Sequence, residues 1–216
     1  MFRISSFILH HLSLYFIFKN KHAVNYTTAK TFILKELDAL PPSLTYHGKH
    51  HTLDVLSVAE SLCVAEGVPY QETVWIMTAA LLHDSGFLRH YHEHEKHSCQ
   101  IAQETLPQFN YTEGDIQRIC TMIMATKIPQ SPLDFCSKVL CDADLDYLGR
   151  DDFYIIGQSL FSELKTLKLV ETKEEWNEIQ IRFLESHRFF TKTSQYARTP
   201  CKKEHLERLK KNNEKK

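Results

Sequence analysis

Ala79-Ala80-Leu81-Leu82-His83-Asp84-Ser85-Gly86-Phe87 closes an apolar run that begins near Gln71. Val74, Met77, Ala80 and Leu81 recur at helical spacing, and the run is apolar on so many sides that it predicts a central buried helix over residues 71–83. That helix ends in an imidazole and a carboxylate. Neighbouring helical residues point about 100° apart, so His83 and Asp84 reach one point only where the helix end loosens. Burying an ionised carboxylate there costs several kcal/mol unless a cation or donors compensate.

Outward from this run the periodicity stays helical. Ala29, Phe32, Ile33, Leu37 and Leu40 form one stripe, behind caps at Thr27 or Thr28 and before Pro41-Pro42. Leu53, Leu56, Ala59, Leu62 and Cys63 form the next, ending at Gly67. Residues 86–94 read as a polar loop, and Ile101, Ala102 and Leu106 mark a helix over 95–106. Thr112 with Asp115 resembles a capping box that opens a helix through Ile116, Ile119, Cys120 and Ile123. A short helix at 133–140 and longer ones at 151–167 and 172–190 follow, the last striped by Trp176, Ile179, Phe183 and Phe190. No alternating run appears. The fold class is therefore all-α, a single compact helical domain.

The 216 residues suffice for one domain with a substantial core. With 26 basic and 27 acidic side chains the chain is near neutral, which gives no bulk electrostatic case for a nucleic-acid or membrane partner. Six Cys without C-x-x-C spacing read as buried reduced thiols in a cytoplasmic protein. Three segments are expected: an apolar N-terminal extension at 1–25, a helical domain at 26–200 and a basic, solvated tail at 201–216. For the extension, a packing helix, a weak anchor and sequence upstream of the true start stay open. The oligomeric state stays open too.

Two other stretches carry the same donor types. Tyr46-His47-Gly48-Lys49-His50-His51-Thr52 sets imidazoles at a helix start, and Cys141-Asp142-Ala143-Asp144-Leu145-Asp146-Tyr147-Leu148-Gly149 crowds three acids after an apolar run. Like charges this close repel, and a nearby cation relieves them. Three separated clusters of nitrogen and oxygen donors point to one assembled site for a divalent ion.

The order His51, His83-Asp84, Asp144 is similar to the H…HD…D signature of the HD-domain superfamily of metal-dependent phosphohydrolases, over about residues 26–170. The resemblance implies an all-helical fold with His51, His83, Asp84 and Asp144 as metal ligands, Asp144 being preferred to Asp142 on its Ala-Asp-Leu context. His94 stands where many members place another His, which serves a second metal or the phosphate. Met124-Ala125-Thr126-Lys127 stands where binuclear members carry a further His, so one tight ion is expected. Tyr46-His47-Gly48-Lys49-His50-His51 resembles the Tyr-His-Asn-x-x-His opening of the cyclic-nucleotide phosphodiesterase branch, with Gly48 in place of Asn. That likeness gives His47 the role of protonating the leaving oxygen.

The expected activity is metal-dependent hydrolysis of a phosphate ester, a nucleotide or related phosphorylated small molecule. His47, Asp84 and His94 would be catalytic, and His94 and Lys127 would bind substrate. Manganese, iron, nickel, cobalt, zinc and magnesium are not distinguished by such donors. A nucleotide-sensing module that keeps the metal site with little turnover is the alternative class. Arg182, Arg188, Arg198 and Lys202 are the cations that a closing helix would bring toward a substrate phosphate.

Overall fold

The computed structural model describes residues 24–213. The apolar extension expected at 1–25 therefore lies almost wholly outside the described residues, as does the end of the basic tail. The elements, in chain order, are α1 (Tyr26–Glu36), α2 (Lys49–Ala65), α3 (Tyr70–Leu82), α4 (His94–Thr105), α5 (Glu113–Thr126), α6 (Phe135–Asp144), α7 (Phe153–Thr166), α8 (Lys173–Ser186) and α9 (Lys192–Asn213), with 3-10 turns at Leu37–Ala39, Ser85–Leu88, Leu106–Phe109 and Asp146–Gly149. No strand occurs among the described residues, so the chain is all-α.

Local chemistry sets most of the boundaries. Asn25, rather than Thr27 or Thr28, caps α1, its side chain accepting from the Thr28 amide at 3.2 Å. The capping box at Thr112 and Asp115 forms as expected and opens α5. The polar loop expected at 86–94 begins as a buried turn, since Ser85, Gly86 and Phe87 are all enclosed.

α3 lies at the centre of the larger core. Ile76, Ala79, Ala80, Leu81 and Leu82 are fully buried there. α1, α2, α5 and α6 pack around it, and even Thr78 is enclosed, its hydroxyl spent on the Val74 carbonyl and the Tyr111 hydroxyl. A second apolar cluster joins Tyr46, Tyr147, Leu148 and Phe153 to Leu184, Phe189 and Leu209.

The C-terminal segment departs from the expected solvated tail. Residues 201–213 complete α9, and Lys202, His205 and Leu209 are buried against the rest of the chain. The Lys202 ammonium donates to the Leu184 carbonyl at 3.0 Å and to the His187 carbonyl, which are orphan acceptors at the end of α8. His205 donates to the Arg150 carbonyl at 2.8 Å. A basic, low-hydropathy sequence docks here because its charges meet helix-end carbonyls.

His187 sits in this seam, where burial and the neighbouring Lys202 charge push its imidazole down to about 4 from the ordinary 6.5. A depressed folded-state value for a base means that the unfolded chain takes up the proton first. Stability is thus fully present above pH 6.5 and lost as the pH falls toward 4, by an amount on the order of 3 kcal/mol at full protonation. Urea unfolding at pH 7 and pH 4.5 should show this loss in the native chain, and His187→Gln should flatten it.

Candidate metal centre

α3 ends one residue before the pair that matters. His83 keeps helical dihedrals, Asp84 leaves them at φ −105° and ψ 2°, and the 3-10 turn Ser85–Leu88 follows. Ser98 on α4 fastens this exit, its hydroxyl donating to the His83 carbonyl at 2.7 Å and accepting from the Gly86 amide at 2.8 Å. Gly86 is required for that closeness: a Cβ there would fall 1.9 Å from the His94 carbonyl oxygen. The turn and the start of α4 are thereby pressed together, which brings His94 to Asp84.

Four side chains converge at this exit. His51, from the first turn of α2, places Nε2 3.4 Å from His83 Nε2, 3.2 Å from Asp144 Oδ1 and 3.6 Å from Asp84 Oδ2. His83 Nε2 lies 3.3 Å from Asp84 Oδ2 and 3.5 Å from Asp144 Oδ1. Donors held at about 2.0–2.1 Å by one tetrahedral ion stand about 3.3–3.4 Å apart, so the spacing of His51, His83 and Asp144 suits a single ion, with Asp84 Oδ2 beside the two imidazoles. The donor atoms of His51, His83 and Asp144 all lie within 4.8 Å of one another.

The hydrogen bonds show what the cluster lacks. His83 donates through Nδ1 to the Ala80 carbonyl at 2.9 Å, which turns the Nε2 lone pair toward the carboxylates. Asp84 Oδ2 is buried with no hydrogen-bond partner. Burial opposes charge on His83, yet the adjacent Asp84 carboxylate holds its imidazole proton well above the usual range. Burial likewise works against ionised Asp84 and Asp144, and the imidazoles overcome it, leaving Asp84 well below the carboxylate range and Asp144 at about 2. The arrangement demands positive charge, and a divalent ion fits it. Such an ion would be held by His51, His83, Asp84 and Asp144 and would satisfy the orphaned oxygen.

The three crowded acids have three different partners. Asp144 joins the cluster. Asp142, fully buried, accepts from the Phe190 and Thr191 amides at 2.8 and 2.7 Å and from the Thr191 hydroxyl at 2.7 Å, so it anchors the strap between α8 and α9. Asp146 accepts from Arg198 at 2.7 Å and lies 3.6 Å from Arg150. Expected mutual repulsion is thus relieved separately at each carboxylate.

Around the cluster lies a cavity of about 400 Å³ lined by, among others, His47, Asp84, His94, Glu95, Thr126 and Asp144. His94 stacks on Phe87 at 4.1 Å between ring centres and sets Nε2 3.3 Å from Asp84 Oδ1. Burial lowers its basicity, and the Asp84 carboxylate more than restores it, so its imidazole titrates above the ordinary range. Asp84 thus faces the cluster with one oxygen and His94 with the other. Glu95 Oε1 also approaches His94 Nε2, at 3.5 Å.

His47 packs on Phe87 at 4.5 Å, and its Nδ1 meets Glu163 Oε1 at 2.5 Å. The other oxygen of Glu163 accepts from the Tyr46 and His47 amides at 2.8 and 3.0 Å. This carboxylate, fully buried on α7, fixes the ring and leaves Nε2 as the nitrogen that can meet a ligand. Sequence reasoning missed Glu163 because its partner is 116 residues away. Glu95 was missed as well, although its place beside His94 was a visible signal.

Other expected residues stand elsewhere. Lys127 is exposed and does not line the cavity, although Thr126 and Ile128 on either side do. Thr126 donates its hydroxyl to the Ile123 carbonyl and offers no ring nitrogen to the cavity. Arg198 and Lys202 are engaged as described above, Arg182 pairs with Glu178 on the surface, and Arg188 is exposed.

Among known proteins, the family model "HD domain" matches residues 49–146. Neither the comparison with curated proteins nor that with solved structures gave a match. The matched span contains His51, His83, Asp84, His94 and Asp144, whereas His47 and Glu163 lie outside it. No helix among the described residues is long and apolar enough to cross a membrane.

Gly86→Ala tests whether the closed turn places His94. The added methyl should destabilise the protein by about 1–3 kcal/mol, read by thermal unfolding. Ser85→Ala, which loses only a hydroxyl bonded to the Leu82 carbonyl, should cost less.

Proposed function

Starting from a chain that carries an HD domain at residues 49–146, we propose that this protein is a divalent-metal-dependent phosphohydrolase whose reaction takes place in the cavity beside His83 and Asp84. The observation that carries this reading is the cluster of His51, His83 and Asp144 beside a buried, unpartnered Asp84 oxygen, open to a cavity large enough for a small ligand. One tight ion would be held by His51, His83, Asp84 and Asp144. When bound, it supplies Lewis acidity toward a phosphoryl oxygen and neutralises charge at phosphorus.

The chain's own groups supply the rest. His47 stands at the cavity wall with Nδ1 fixed by Glu163, so its Nε2 is the group that gives a proton to the departing oxygen. Glu163 acts through His47 as a positioning residue, and burial of the pair keeps water from competing for that contact. His94, braced by Phe87 and Asp84, orients the phosphate. Asp84 holds both the ion and His94 in register. The substrate is a phosphate ester small enough for the cavity.

Protein purified without chelator should contain close to one divalent ion per chain and release phosphate from an ester panel. His83→Ala and Asp84→Ala should each lose the ion and at least about a hundredfold in activity. Retention of metal and turnover in both variants would sink the proposal. Glu163→Gln should keep its metal while kcat falls by about tenfold to a hundredfold with little change in KM, as expected for a group acting through the proton donor.

A further inference from the structure

The cavity wall changes character away from the donor cluster. Leu160, Leu164, Trp176 and Ile179 line it, and these four pack together with Phe161 as a separate apolar cluster of α7 and α8. Leu160, Leu164 and Ile179 are only half-buried, so hydrocarbon faces open space there. Burial of all three against a ligand would remove that surface from water.

Charge gives an independent restriction. Among the described residues, no Lys or Arg lines the cavity. Three carboxylates, Asp84, Glu95 and Asp144, do line it, and a fourth, Glu163, is bonded to His47 at its wall. Against these, among the described lining residues, stand the two imidazoles of His47 and His94, with a bound ion. One phosphate group is the charge such a site can match, because each further phosphate would meet carboxylates without a guanidinium or ammonium to receive it.

Building on the phosphohydrolase reading, we infer that the substrate class is an ester with a single phosphate whose alcohol part is an uncharged aromatic or branched alkyl group. The phosphate lies at the donor cluster and the apolar group against Leu160, Leu164, Trp176 and Ile179. In the reaction the oxygen of water ends on phosphorus. The phosphorus–oxygen bond to the alcohol breaks with its electron pair on the alcohol oxygen, which takes the His47 proton, and a proton from water restores His47. The products are the alcohol and inorganic phosphate, with no further reactant.

The test uses the full chain loaded with Mn²⁺ and four esters: 2-(1-naphthyl)ethyl phosphate, n-propyl phosphate, AMP and ATP. The first three leave as alkoxides of similar basicity, so their ranking reports binding rather than leaving-group reactivity. The naphthylethyl ester should exceed both n-propyl phosphate and AMP in kcat/KM by at least about tenfold, and ATP should be the poorest. Leu164→Asn and Ile179→Asn should collapse the naphthylethyl to n-propyl ratio toward unity. Preference for AMP or ATP, or a ratio unmoved in both variants, overturns the inference and leaves the hydrolase reading standing.

Calorimetry with the non-hydrolysable 3-(1-naphthyl)propylphosphonate separates the two readings further. Binding that weakens in Leu164→Asn, with no ester turned over, would support the ligand class while removing the hydrolase. Absence of both binding and turnover would overturn both.

Discussion

Everything in this molecule turns on keeping two imidazoles and two carboxylates together in a largely buried space. Two imidazoles and two carboxylates face one another at the end of α3, and such a group is stable only where positive charge, on the rings or on a cation, balances the carboxylates. The surrounding structure is arranged to hold it: Ala80 fixes the His83 tautomer, Ser98 ties the helix exit to α4, and α2 and α6 deliver His51 and Asp144 from opposite parts of the chain. The buried, largely apolar α3 supplies the rigidity. Its tight packing leaves the pair at its end little freedom to turn away.

The second consequence is the division of labour between the two ends of the chain. The part matched by the HD domain holds the donor cluster and one side of the cavity wall, while α7, α8 and the segment before α2 supply the rest of that wall and the His47–Glu163 pair. On the proposed reading, the metal chemistry and the choice of ligand would be carried largely by different elements. α9 holds the wall in place through helix-end carbonyls and through the tether from Asp142 to Phe190 and Thr191.

Much of this was legible before any coordinates. The stripe in α2, the apolar run of α3 and the capping box of α5 follow from spacing alone, because a helix repeats its faces at a fixed period. The ligand order was legible from His51, His83-Asp84 and Asp144 through a family likeness. Glu163 was not, since an acid within an amphipathic helix reads as a solvated residue until its partner is known. Lys127 misled for another reason: the chain leaves α5 after Thr126, which does line the cavity, and Lys127 with its extended backbone does not. Lys202 was likewise read as tail because composition records its charge and not the carbonyls that receive it.

By itself, then, the sequence determined an all-helical chain with a buried histidine–aspartate pair and the partners that such a pair needs. Local periodicity and the cost of an unpaired buried charge are enough for that. Only the tertiary structure decided that Asp142, Asp144 and Asp146 go to three different partners, that Glu163 reaches back to His47 and that, among the described residues, no Lys or Arg lines the cavity. These are matters of which residues distant in sequence share a volume. That is settled by packing, to which spacing along one helix makes no reference.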